Sequence, residues 1–548
     1  MPVKRSENEA GFTMISVILG LSLVIALSIV AVTAVSGDLH LNRHDLDQRR
    51  AYEAAKAGIN DYVFHLHNET DYWTDCTNVQ PETNAVNQVG STAKQRHVPG
   101  NTGGTYAIEL LPAAGQSQYT QCDAANPGPS MLEPSGLFRG TFRIRSTGFS
   151  GKADVSIVAT FKPATFLDYV YLTQYETLDP VSYGFPNPSP ELDGANSQCS
   201  KPLQERDLQG NPLALSMAGR NSAPIPNVKD ADGNETIYCV VISFVKGDSI
   251  NGPMHTNDSF AISDNPTLGR GPADPVEVSG PPKGWFSTKD VPQSGSTKTG
   301  SSSNFKGTLT ANSPVINPPP SNSALEDIAG LKFTGQVRIC LNGETISVSA
   351  GKTCTESPLY SGPLPSNGVV YVGGTSCPTI YSPFTATYPS TSGCGTAFIH
   401  GEYSGQLTLA TENDIIVDGN LIHSGEGVLG LIANNFVRVY HPFSAQTGRS
   451  KCNSGSNGAG SISNLQIDAA ILAIEHSFIV DHYDCGNSLG TLTVNGAIAM
   501  KYRGPVGTTG GTGYIKNYNY DDRLRYLQPP SFIEPAESDW VVGRETLD

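Results

Sequence analysis

The densest set of groups able to hold a metal or move a proton lies in the stretch EHSFIVDHYDC, where Glu475, His476, Asp481, His482 and Asp484 crowd together. Neither an HExxH helix pair nor an EF-hand spacing organises them. On an extended strand His476 and His482 share one face about 20 Å apart, too far for one ion without a bend. They read as solvated loop residues, and no metal is assigned. Two other stretches imitate catalytic motifs. Gly351-Lys352-Thr353 has the tail of a phosphate loop, but Ile346 stands where that loop needs its first glycine, and no long helix pattern follows. Gly148 to Lys152 lacks the second spaced glycine of a nucleophile elbow and sits on a hairpin. No catalytic residue and no cofactor is assigned.

A weaker constellation comes from repetition. The segments IIVDGNL (415–421), LQIDAAI (465–471) and LTVNGAI (492–498) place Asp418, Asp468 and Asn495 at equivalent points. A second pair, LTLATENDIIV (407–417) and LGLIANNFVRV (429–439), is offset by 22 residues. Such repeats, with Asp or Asn at a corner where left-handed backbone is tolerated, suit a β-solenoid. Many β-helices cleave acidic polysaccharide with carboxylates, Ca²⁺ and a basic group, so a surface enzyme is the alternative class, with Asp418, Asp468, His423 and Lys501 as its candidates. The simpler role for the two aspartates is to satisfy backbone groups at turns. Tyr514, Tyr518, Tyr520 and Tyr526, with Asp521, Asp522, Arg523 and Arg525, form either a glycan or protein contact surface or a cap on the last coil.

The elements that would position these groups follow from composition. The 548 residues exceed one ordinary core, and only 16% are charged, while Gly (57) and Pro (38) are plentiful. That balance suits an extracellular, turn-rich β protein. A net charge of −16, with no basic run, excludes nucleic acid as a partner. The ten cysteines, Cys76, Cys122, Cys199, Cys239, Cys340, Cys354, Cys377, Cys394, Cys452 and Cys485, form no C-x-x-C pair and no zinc spacing. In an exported chain they are disulfide candidates. Nearest-neighbour pairing would staple each unit locally, although many other pairings are open.

The N-terminal stretch carries the strongest signal. Phe12 to Val35 is free of charge and as a helix is roughly 36 Å long, enough to cross a bilayer. Lys4 and Arg5 with Val32-Thr33-Ala34 would suit a secretory signal, but Glu7 and Glu9 precede the apolar run. A plain single-pass anchor is the remaining reading. No Pro or Gly interrupts Asp38 to Ala57, and Leu39, Leu46, Ala54, Ala55, Gly58, Ile59, Tyr62, Val63 and Leu66 recur largely at spacings of three and four. The helix is therefore expected to continue as an amphipathic stem.

A short polar leader ending in Gly11-Phe12, a long half-apolar helix and the run AAKAGI (Ala54, Ala55, Ala57 and Gly58 in it) resemble a type IV pilin, specifically the PilX-like minor pilins. The resemblance implies cleavage after Gly11 by a prepilin peptidase and methylation of Phe12. It also exposes a departure: Ser16 occupies the fifth mature position, where major pilins carry a Glu that neutralises a neighbour's terminal amine. A buried unpaired ammonium costs several kcal/mol, so Ser16 points to a tip or low-copy subunit with an adhesive or assembly-priming head. Implied partners are other pilin subunits, the pilus assembly machinery, membrane lipid before assembly, and a host or environmental surface ligand.

The expected fold class is α+β: a long transmembrane or pilin helix, a small antiparallel sheet, and a large mainly-β region forming a β-solenoid. The expected organisation is leader 1–11, filament-core helix 12–35, its extracytoplasmic continuation 36–69, a pilin-like β domain 70–165 with a hairpin around Gly148 to Gly151, and an irregular region 166–332. That region contains a disordered loop at about 287–323. A solenoid domain 333–530 and a tail 531–548 follow. The expected location is single-pass membrane with an extracytoplasmic C-terminal region, then cell surface or pilus after assembly.

Overall fold

The computed structural model describes residues 10–69, 71–74, 95–100, 103–113, 123, 125–133, 141–183, 189–200, 239–279, 285–287, 292–293, 305–311, 313–377, 393–443, 457–525, 527–536 and 540–548. Most of the expected leader, Cys76, Cys122, Cys452, Tyr526 and much of the loop at 287–323 lie outside the described residues. Two compact units are present, Met1–Pro163 with Asp539–Asp548, and Ala164–Ser538.

In the first unit helix α1 (Ala10–Asn68) runs unbroken for 59 residues. Strands β1 (Arg96–His97), β2 (Thr105–Leu111), β3 (Phe142–Ser150) and β4 (Ala153–Pro163), followed by Trp540–Leu547, make an antiparallel sheet in that order. β3 and β4 form the hairpin marked by the sequence, with Gly151 at φ +59° in the turn, a conformation glycine adopts at no steric cost. Burial alternates strictly along β3, so Phe142, Ile144, Ser146 and Gly148 face one side. That side receives the second half of α1. Its aromatic centre stacks Phe142 on Phe161 at 5.0 Å, with Trp540 edge-on to Phe142 at 4.7 Å.

The second unit is dominated by one large, mostly parallel sheet. Val369–Gly373, Gln406–Thr411, Val428–Ala433, Gln466–Ala473 and Ser488–Tyr502 pair in succession, all parallel. A second row runs Gln336–Gly343, Thr396–Tyr403, Ile415–His423, Val437–Val439, Phe478–Val480. The 22-residue offset is a register: Leu407 pairs with Leu429, and Ile415 with Val437. Buried Val, Ile and Leu from these strands form one continuous core. Such near-continuous apolar runs are typical of parallel strands covered on both faces.

The expected fold class is corrected on two counts. The structure is mainly β, 43% strand with few helices, and its sheets do not close into a solenoid. Closure is interrupted where the chain departs from a steady coil. Gln336–Gly343, Thr345–Ser349 and Pro358–Pro363 turn back as an antiparallel meander. Strands from early in the chain, Tyr171–Tyr175 and Ser249–Asn251, then add beside Ser488–Tyr502 and Gly513–Tyr520. Among the described residues, moreover, no helix is long and apolar enough to cross a membrane.

Candidate functional site

The site with the clearest physical signature is α1, whose two halves meet different surroundings. In the second half Ala51, Ala54, Ala55, Gly58, Ile59, Tyr62 and Leu66 are buried against the sheet, and Ala57 is half-buried. Small residues are required there because backbone approaches backbone. A side-chain carbon at Gly148 would collide with the Ala51 carbonyl and the Ala55 amide nitrogen, and one at Gly58 would lie 2.8 Å from the Tyr106 ring. The Ser146 hydroxyl donates to the Ala55 carbonyl at 2.8 Å, fixing the register of helix on strand. The run 54–58 is thus a steric match to Ser146 and Gly148.

The first half is different. Met14, Ile15, Val17, Ile18, Leu19, Leu21, Leu23, Val24, Ile25, Leu27 and Ile29 are each more than half exposed and cover the helix on all sides. A helix apolar all round needs surroundings that are apolar all round. An exposed patch this continuous marks an interaction surface in ordinary proteins. Ser16 lies within it and is exposed. Gly11 and Phe12 are helical, and their side chains lie outside the described residues.

The second unit holds the other candidate residues, and the fold brings some of them together while drawing Asp418 and Lys501 to other partners. Asp468 and Asn495 are paired in register, and the row continues through Asn519 to Asn251. Each amide donates to the next: Asn495 to the Asp468 carboxylate at 2.7 Å, Asn519 to Asn495 at 2.9 Å, Asn251 to Asn519 at 2.8 Å. This ladder pins the parallel register. Asp418 lies outside the row, because Leu421 is the residue that pairs with Ile467. It instead accepts from His400 Nδ1 at 2.8 Å and bonds Arg338. His423 bonds Asp468 at 3.0 Å, while Lys501 lies 3.7 Å from Glu475. The four residues of the polysaccharide-cleaving alternative therefore have three sets of partners.

The cluster around His476 is corrected in part: Asp481 and His482 are buried framework, His476 and Asp484 are half-buried, and Glu475 alone is exposed. Asp481 and His482 are 1% and 2% exposed. Asp481 pairs with Arg438 at 3.2 Å, and Arg438 also reaches Asp414 at 3.2 Å. His482 Nδ1 contacts the His441 carbonyl oxygen at 2.7 Å, and Glu475 faces Lys501. His476 stacks on Phe436 and meets Asp179 at 3.0 Å. Burial opposes its charge, but the Asp179 carboxylate, aided by Asp414 and Glu475, prevails and raises its pKa. His400 is shifted the other way by burial and by Arg338. Tyr514, Tyr518 and Tyr520 are likewise buried, which removes them from any contact surface.

Three disulfides join Cys199 to Cys239, Cys340 to Cys354, and Cys377 to Cys394, and Cys485 is also disulfide-bonded. Cys340, Cys354 and His400 lie close enough to suggest a metal site. Both sulfurs are committed to their bond, and a metal ligand must be a thiolate, so that trio does not fit an ion.

Sequence reasoning missed one feature entirely. The core encloses two ion pairs, Arg503 with Glu176 at 2.7 Å and Lys516 with Asp248 at 2.9 Å, with Arg503 and Glu176 wholly buried. Arg503 lies 3.6 Å over the Phe244 ring, and its Nε and Nη2 have no hydrogen-bond partner among the described residues. Only the unusual placing of Lys516 inside the alternating run GYIKNYNY, where an apolar residue is expected, hinted at this.

No family model matches the chain, and no curated protein sequence matches it. Among solved structures it is similar to the competence-associated pilin ComZ from Thermus thermophilus, at 12% identity over 92% of this chain and 97% of that one. The TM-score is 0.26, a value that supports no inference about fold.

Proposed function

We propose that this chain is a low-copy, pilin-like subunit of a cell-surface filament of the type IV class, with the second unit as an adhesive or assembly-priming head. The observation that carries this reading is the division of α1: one half seated on its own sheet through small residues, the other apolar on every side and left exposed by the described residues of its own unit. Helices of the same kind from other subunits are the occupants that fit, because packing among them would bury all sides at once. Hydrophobic burial of about 25 cal/mol per Å² makes such a surface a strong driver of association. Ser16 supports low copy, since it offers no carboxylate to a neighbour's amine. The bulk of the second unit, 164–538, would crowd a thin filament if repeated in every subunit.

The test is the amino-terminal sequence, mass and copy number of the protein in filaments sheared from cells. The expected result is a methylated Phe12 terminus, with the chain present at a small fraction of the main pilin. An intact Met1, or an end at Val35, would sink the pilin route. Stoichiometry comparable to the main pilin would sink the tip placement alone.

A further inference from the structure

The buried pair Lys516 and Asp248 has a geometry that goes beyond an ion pair. Lys516 Nζ lies 2.9 Å from Asp248 Oδ2, with side-chain exposures of 8% and 3%. The two are held together by the fold: strand Gly513–Tyr520 runs parallel to Ser249–Asn251, with Asn517 opposite Ser249, so Lys516 stands opposite Asp248 one residue earlier. The same carboxylate oxygen accepts the Val245 amide at 3.1 Å, which fixes the carboxylate in place. Because the oxygen is bonded to the carboxyl carbon, Nζ is at most about 4 Å from that carbon, near the attack range of about 3–3.5 Å.

We infer that Lys516 and Asp248 join as an intramolecular isopeptide bond, cross-linking strand Gly513–Tyr520 to the turn before Ser249. The balance is simple. The Lys516 ammonium passes a proton to the Asp248 carboxylate along the existing hydrogen bond. The neutral amine attacks the carboxyl carbon, a Nζ–Cγ bond forms, one C–O bond breaks, and the oxygen departs with two protons as water. No oxidant, cofactor or second protein is consumed.

Three features favour the reaction at this place. Charges held out of water are costly, and condensation replaces two of them with one neutral amide. Burial lowers the Lys516 pKa against the pull of Asp248, and the Arg503 charge lowers it further, so the nucleophilic amine form is more accessible than in water. Both residues also line a cavity of about 680 Å³ with Ser243, Ser263 and Thr508, which offers the released water a way out. Positioning of two reactants in one core is worth an effective molarity of about 10⁵ M or more in favourable cases. The bond does not depend on the filament reading and would form in an isolated chain.

The test is the intact mass of the full-length protein, purified folded and then denatured and fully reduced. The expected mass is lighter by one water than that of its mature sequence, and digestion yields one branched peptide containing both 248 and 516. Lys516→Arg and Asp248→Ala are expected to restore the sequence mass, while Asp248→Asn should lose ammonia in place of water. Wild-type protein at its full sequence mass, with the two residues recovered in separate linear peptides, overturns the inference. Loss of water without a branched peptide, the signature of an aspartyl succinimide, overturns it equally. The wild-type measurement decides the matter even if a variant fails to fold.

Discussion

At the scale of single residues the structure turns on close approaches and buried charges. Gly148 admits the α1 backbone where no side chain fits, so Gly148→Ala is expected to cost about 1–3 kcal/mol through overpacking, read as a lower denaturant midpoint for the first unit. Arg438 bridges two buried carboxylates, Asp414 and Asp481. Arg438→Met removes the guanidinium from both carboxylates and is expected to cost the second unit about 3–5 kcal/mol in chemical denaturation. His476 makes a pH prediction. Its folded pKa is raised, so protonation favours the folded state: the stabilisation is complete below the unfolded value of about 6.5 and is lost as pH rises through the folded pKa. The stability difference between wild type and His476→Gln should shrink in that direction. A difference growing with pH would contradict the assignment of Asp179 as the dominant partner.

At the scale of elements, α1 predicts that its halves respond differently to mutation. Ile59 is 1% exposed in the first unit's core, and Ile59→Ala should destabilise that unit by about 2–5 kcal/mol. Leu23 is 63% exposed. Leu23→Lys should leave thermal unfolding unchanged yet abolish recovery of the protein in sheared filaments. If Leu23→Lys assembled normally, the exposed half would not be an assembly surface. Within the second unit, the ladder from Asp468 through Asn495 and Asn519 to Asn251 explains how a long parallel stack avoids slipping by one residue, a slip that would turn its apolar side chains to the wrong face.

For the whole molecule, covalent links matter because the second unit draws its sheet from strands far apart in sequence. The observed disulfides close short segments, with separations of 40, 14 and 17 residues. Bonds closing loops of this size contribute about 2–4 kcal/mol each, so reduction should lower the unit's melting temperature without unfolding it at room temperature.

What the sequence determined by itself was local. A proline-free stretch with helical spacing of its apolar residues specified α1, glycine at 151 specified the hairpin turn, and the 22-residue likeness specified which strands lie in register. Each of these depends on backbone geometry and periodicity within a few dozen residues, which are written in neighbouring side chains. What only the tertiary structure decided is non-local. An antiparallel meander and strands recruited from early in the chain left the sheet open where a closed coil was expected. Asp418 was drawn to Arg338 and His400, away from Asp468. Arg503 met Glu176, 327 residues away, and Lys516 met Asp248 across 268. Burial of charge depends on which distant groups arrive together to offset desolvation, and no local pattern records that meeting.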